Sequence, residues 1–229
     1  MTRRLFIEAV RGIAVAAAVA LGALYLGWLA KLPESGFVPG SFVTHSVMLV
    51  ASVGIIRMWP GRRFADFGFT WGTYRFRPRI LLWALPTAVL SLAGALASGK
   101  SESGSAVTGM QSHLQLVLFV WIYASVCEEV LTRGLLQTLV AGTNEGRRAP
   151  ARFSMPVVVS ALFFGAMHLV LLGRMGPAAA VPIVLATLLG YLAARYREAT
   201  GSLIPAIMVH ALFNIGGMLP GWIIGLFGR

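Results

Sequence analysis

Glu128 and Glu129 stand side by side in an apolar run, Trp-Ile-Tyr-Ala-Ser-Val-Cys-Glu-Glu-Val-Leu-Thr-Arg-Gly-Leu-Leu, with Arg133 four residues on. In a helix, Glu129 and Arg133 are i,i+4 and share a face. Glu128 is rotated about 100° from Glu129. Glu129 therefore has an ion-pair partner on its own helix, and Glu128 has none there. A carboxylate without a partner in low dielectric is costly to ionise, which suits it to take up a proton near neutral pH. Two further apolar segments carry polar groups: Phe163-Phe164-Gly-Ala-Met-His168 and His210-Ala-Leu-Phe-Asn214. His210 and Asn214 are i,i+4 and project together.

Each group has a plainer explanation. A buried Glu-Glu-Arg cluster that locks helices together accounts for Glu129 and Arg133, but one arginine does not neutralise two carboxylates. A lone histidine such as His168 is commonly an interhelical donor, and a His/Asn pair a hydrogen-bonded helix contact. Ionisable groups at membrane depth are nonetheless costly enough that each is a functional candidate.

The elements that position these groups are membrane helices. Of 229 residues, 57% are hydrophobic and 12% charged, where a soluble domain carries about a quarter charged. Mean hydropathy is +0.78, so lipid is the expected solvent. Seven apolar segments near spanning length occur at about 10–30, 39–59, 79–98, 114–141, 155–173, 178–195 and 203–226. Strand-period alternation is absent. The expected fold is an all-α polytopic transmembrane bundle of about seven spans. It forms a single integral membrane domain over 1–229, in which 1–112 holds the N-terminal spans and an interfacial loop and 113–229 the core. The run Gly12–Ala30 has transmembrane length, and no clean small-x-small cleavage site closes it, so a retained first span is expected.

The net charge of +11 would suit nucleic acid, but its distribution argues otherwise. With the N-terminus in the cytoplasm, thirteen arginines fall on cytoplasmic segments, and only Lys31, Lys100, Arg174 and Arg229 on the other side. That alternation follows the positive-inside rule. Trp59, Phe64, Phe67, Phe69, Trp71, Tyr74 and Phe76 interleave with arginines between Arg57 and Arg79. This reads as an interfacial segment, aromatics at headgroup depth and arginines toward anionic lipid. The Gly99–Gly109 stretch reads as a polar loop on the far side. The lipid bilayer is thus an expected partner and nucleic acid is not. The membrane expected is a bacterial or archaeal inner membrane.

Depth allows the polar groups to meet. Glu128 and His168 lie about 20 Å from the cytoplasmic ends of their spans, His210 about 10 Å and Asn214 about 16 Å. The site is expected in the middle to cytoplasmic half of the bilayer. Gly134, Gly165, Gly216 and Gly217 would permit close helix approach.

The ordered set Glu128-Glu129-Val-Leu-Thr-Arg133, Phe164-Gly-Ala-Met-His168 and His210-Ala-Leu-Phe-Asn214 resembles the CAAX-protease and bacteriocin-processing family of intramembrane glutamic endopeptidases. Its hallmarks are Glu-Glu-x-x-x-Arg, Phe-x-x-x-His and His-x-x-x-Asn on successive helices. The resemblance covers about 114–217, and Thr132 stands where an aromatic commonly precedes the arginine. It implies a protease core in the last four spans and a membrane-associated peptide or protein as substrate. It further implies Glu128 as the base that activates water and His168 as the group that orients it. His210 and Asn214 would stabilise the oxyanion, Glu129 held by Arg133 would tune Glu128, and Phe164 would support the site. No cofactor is implied.

Other chemistries remain to be weighed. Glu128, His168 and His210 could form a zinc set of the His₂Glu type, although no His-Glu-x-x-His helix is present and Asn214 is a poor zinc ligand. Cys127, the single cysteine, could be a nucleophile, but carboxylate and apolar neighbours disfavour its thiolate; it is expected to be a packing residue. Ser125 lacks a Gly-x-Ser-x-Gly context. His113 is expected at a membrane edge and His45 as an interhelical donor outside the site. A proton-coupled transporter would be expected to show inverted repeats, and none is evident. A catalytically silent scaffold would not need every polar motif residue.

Overall fold

The structure is a computed structural model that describes residues 3–30, 32, 37–98, 112–142 and 154–227. The Gly99–Gly109 loop and the cytoplasmic arginines expected at 147, 148 and 152 lie outside those residues. Among the described residues there is no strand. The seven longest helices among the described residues are α1 Arg3–Ala30, α2 Ser41–Met58, α3 Leu85–Ser98, α4 His113–Ala141, α5 Met155–Met167, α6 Ala180–Thr200 and α7 Ile204–Phe227.

Each expected apolar segment carries a helix, but not every one has spanning length. Five stretches are long and apolar enough to cross a membrane: Phe6–Ala30, Ser41–Met58, His113–Ala141, Gly176–Thr200 and Ile204–Gly221. Pro78–Ala93 and Met155–Leu171 are shorter apolar helices. The 155–173 segment is not one continuous α-helix, because at His168 the winding tightens into a 3₁₀ turn, His168–Leu171. α1 also begins at Arg3, earlier than its apolar run, so Glu8 and Arg11 are helical.

The core divides into two clusters. One joins Ala9, Ala16, Ala20 and Ala23 of α1 to Met48 and Ile56 of α2 and to Leu131, Leu135 and Val140 of α4. Alanines on α1 let it lie close to α2 and α4. The other joins Phe164 of α5, Ala186 and Leu189 of α6, and Val209 and Phe213 of α7. The Thr87 hydroxyl on α3 donates to Phe213 O of α7 at 2.9 Å. The Ser160 hydroxyl on α5 donates to Thr132 O of α4 at 3.1 Å, so α4 is held between the clusters. The outward faces stay apolar, with Leu21, Trp28, Val50, Leu82 and Leu162 all exposed, as a lipid solvent requires.

The basic aromatic segment departs from its expected character. Phe67 is fully buried and joins the α1/α2/α4 cluster instead of lying at headgroup depth. Trp71 and Phe76 do remain exposed. The segment is stitched to the α6–α7 turn: Leu203 N–H donates to Gly68 O at 3.0 Å, Thr73 N–H to Thr200 O at 2.9 Å, and the Ser202 hydroxyl to Thr70 O at 2.5 Å. Gly72 has φ +57°, and a Cβ there would fall 2.1 Å from Thr200 O, so only glycine allows this contact.

Two of the four glycines expected to bring helices together do so. A Cβ at Gly165 would fall 2.1 Å from Thr187 Oγ1, and one at Gly216 2.0 Å from Ala84 O. Gly134 and Gly217 have ordinary space around them: the nearest atoms would be 3.5 Å and 3.9 Å from an added Cβ.

Candidate active site

The site residues come from four helices. α4 supplies Glu128, Glu129 and Arg133. This helix is π-wound over Leu116–Ala124 and Val130–Leu136, with an α-helical stretch, Ser125–Glu129, between them. Wide winding of this kind occurs in short pieces and often at functional sites. The Thr132 hydroxyl donates to Glu128 O at 2.6 Å. A side chain thus satisfies a carbonyl where the ordinary helical ladder is interrupted.

Glu129 and Arg133 pair as expected. Arg133 Nη1 donates to Glu129 Oε1 at 2.8 Å, and neither side chain has any solvent exposure. Arg133 Nη1 also donates to Thr132 Oγ1 at 2.5 Å. Thr132 is thus a second anchor for the guanidinium. The Arg133 guanidinium lies 4.5 Å from the Phe164 ring centroid, a cation–π contact. Gly190 of α6 sits against both α5 and the guanidinium: an added Cβ would fall 3.0 Å from Ala161 Cα and 3.2 Å from Arg133 Nη2.

Phe164 is the common wall of the site. Its ring centroid is 5.0 Å from that of His168 and 5.3 Å from that of His210, the latter edge to face at 86°. Fully buried, it fixes one cation and two imidazoles at once. This accounts physically for an aromatic at that position.

Glu128 is not without a partner, contrary to the single-helix expectation. His45 Nε2 of α2 lies 3.1 Å from Glu128 Oε1, and His210 Nε2 of α7 lies 3.7 Å from Glu128 Oε2. Glu128 retains some exposure, 14% of its side chain, where Glu129 has none. Helical geometry within α4 could not reveal this, since both histidines come from other helices. His45 was expected outside the site and belongs to it. The signal was present in the sequence: His45 is an ionisable group in an apolar segment, like the others.

The other groups are placed as follows. His210 Nδ1 donates to Glu129 Oε1 at 2.9 Å, so His210 touches both carboxylates. His168 Nδ1 donates to Phe164 O at 2.9 Å, which leaves Nε2 as the lone-pair nitrogen of its neutral ring. Asn214 Nδ2 donates to Val120 O and to Ser125 Oγ, both at 3.2 Å. Both amide hydrogens are thus committed to α4, and an oxyanion role requires one to be released. Ser125 enters as the acceptor for Asn214. Cys127 is buried.

Among the described residues, no group of three or more His, Cys, Asp or Glu side chains is arranged to hold a metal ion. A cavity of about 310 Å³ opens elsewhere, between the Thr73–Ile80 segment and the C-terminal end of α6, and no motif residue lines it.

Residues 110–216 match the family model described as type II CAAX prenyl endopeptidase Rce1-like. No curated protein and no solved structure matches the chain. The matched segment contains Glu128, Glu129, Arg133, Phe164, His168, His210 and Asn214, and the family implies a CAAX-type intramembrane protease. His45 lies outside it. The chain is an all-helical membrane protein whose residues 110–216, the segment that carries the motif residues, are similar to the type II CAAX prenyl endopeptidases of the Rce1-like family.

Proposed function

We propose that this protein is an intramembrane glutamic endopeptidase in which Glu128 activates a water molecule against a peptide bond. The observation that carries the proposal is the unequal treatment of two adjacent carboxylates. Glu129 is sealed and bound to Arg133, whereas Glu128 keeps partial exposure among imidazoles. A group that must exchange protons needs the second environment.

In the proposed reaction, Glu128 takes a proton from water as the oxygen adds to the scissile carbonyl. His168 orients the water through Nε2. The negative charge that develops on the carbonyl oxygen is met by an Asn214 amide hydrogen released from α4 and by His210, which gives its Nδ1 hydrogen to Glu129 and so donates from Nε2 as the imidazolium. Glu128 then returns its proton to the leaving amine, and the peptide C–N bond breaks. Glu129, Arg133 and Phe164 hold the geometry. No step forms a covalent bond to the protein.

The proposed substrate is a membrane-proximal peptide, such as a CAAX-like or sorting tail. The proposed setting is a bacterial or archaeal inner membrane, with the N-terminus in the cytoplasm and the site in the middle to cytoplasmic half of the bilayer.

Cleavage of a lipid-anchored tail peptide by the purified protein in liposomes tests this. The wild type is expected to cut and Glu128→Gln to be inactive; a fully active Glu128→Gln protein sinks the glutamate mechanism. Loss of activity with chelators, restored by zinc, would favour the zinc alternative. Proton-coupled flux with no cleavage would favour a transporter, and neither activity a scaffold.

A further inference from the structure

His45 sits one turn into α2, outside the family segment, and both of its ring nitrogens are engaged. Nδ1 lies 2.8 Å from Ser41 O. A carbonyl only accepts, so Nδ1 carries a hydrogen. Nε2 lies 3.1 Å from Glu128 Oε1. A neutral imidazole already protonated at Nδ1 offers a lone pair at Nε2, and an ionised carboxylate offers only lone pairs. Two such atoms repel at this distance, so a proton lies between them.

The other histidines do not supply it. His210 Nδ1 donates to Glu129 Oε1, which also accepts from Arg133. The neutral His210 ring therefore turns a lone pair toward Glu128 as well. His168 spends its Nδ1 hydrogen on Phe164 O. All three rings are fixed in the same tautomer when neutral, with basic Nε2 atoms. The His45–Glu128 contact accordingly holds one proton more than a neutral imidazole beside a carboxylate.

The remaining charged and titratable groups on the elements packed against α2 leave this assignment intact. On α4, Arg133 offsets Glu129, the Tyr123 hydroxyl bonds Ser46 Oγ at 2.8 Å, Cys127 is buried, and His113 lies at the start of the helix. On α1, the Arg11 guanidinium lies 4.9 Å from the Trp59 ring at the opposite end of α2, near Arg57; Glu8 is within a turn of Arg11, and Tyr25 stacks on Trp28. In the Phe64–Phe67 turn, Asp66 accepts from Arg63 N–H.

We propose that His45 is a positioning residue of the active site. It carries the shared proton as an imidazolium, so that Glu128 stands as a carboxylate, oriented and ready to accept a proton from water. During turnover Glu128 gains the water proton and gives it to the leaving amine, while His45 keeps its own. The step balances with no further reactant. The proposal rests on the protease reading for its meaning in turnover, but the protonation of the pair does not depend on it.

Histidine ¹⁵N NMR of the protein in nanodiscs, carbodiimide labelling of Glu128 and tail-peptide cleavage test it together. In the wild type at neutral pH, both His45 nitrogens are expected to be protonated and Glu128 to label weakly, since carbodiimides attack the protonated acid. His45→Gln keeps a donor near Glu128 but cannot hold a proton. It is expected to raise Glu128 labelling several-fold and to lower kcat about 100-fold with KM little changed. Glu128→Gln is expected to return His45 to the neutral form. His45→Ala serves as a second variant if the glutamine does not fold, with added imidazole restoring part of kcat. A neutral His45 in the wild type overturns the proposal, as do labelling and kcat unchanged in His45→Gln. Correct NMR and labelling without any cleavage would instead remove the protease reading and leave the proton pair standing.

Discussion

The two faces of α4 treat identical chemical groups in opposite ways. Glu129 meets a guanidinium on its own helix, a histidine from α7 and no exposure. Glu128, one residue earlier, meets Nε2 atoms from α2 and α7 and keeps a fraction of its surface open. One face is built to hold charge still, the other to let a proton move. Adjacent positions on a helix belong to different neighbourhoods, so one short motif can serve both needs. His210 joins the faces, with Nδ1 on Glu129 and Nε2 toward Glu128.

The comparison predicts opposite outcomes for substitutions on the two faces. Glu128→Gln should lower kcat about 1,000-fold or more while thermal unfolding in detergent stays near wild type; a large stability loss would mean that this face is structural too. Arg133→Met should act first on stability. It strands Glu129 in a sealed site and should cost about 3–5 kcal/mol of stability, read as a fall in unfolding temperature. Pairing it with Glu129→Gln should recover much of that loss, and failure to do so would remove the ion pair as the cause. Thr132→Val removes one anchor of Arg133 and the hydroxyl that donates to Glu128 O, and should cost about 1 kcal/mol. Cys127→Ala should leave activity within about twofold, since a buried thiol far from thiolate chemistry only fills space; an inactive variant would overturn the assignment of Glu128.

The sequence made some of this legible and hid the rest for definite reasons. The Glu129–Arg133 pair could be read because i,i+4 geometry is local to one helix. The three motif segments stood out because charged groups in apolar runs are costly. The partners of Glu128 could not be read, because they depend on how α2 and α7 dock against α4. His45 carried the same signal as His168, an ionisable group in an apolar run, but its partner Glu128 lies on another helix, 83 residues along the chain. Phe67 looked interfacial among arginines, yet it is buried, because composition does not say which aromatic turns inward. Thr132 stands where an aromatic is common in the family pattern, and its two hydrogen bonds, to Glu128 O and from Arg133, depend on a fold the motif does not spell out.

α5 has 13 α-helical residues before it tightens at His168. Such a helix is about 20 Å long, against a hydrocarbon layer of about 30 Å. Its α-helical part therefore gives out before a bilayer of ordinary thickness does, and His168 marks that point. A bilayer that thins to match brings the headgroup region closer to the histidine, and a thicker one moves it away. With α5 entering from the cytoplasmic face as proposed, acyl-chain length is expected to act as a dial on how wet the site is, set by the membrane rather than by any residue of the protein.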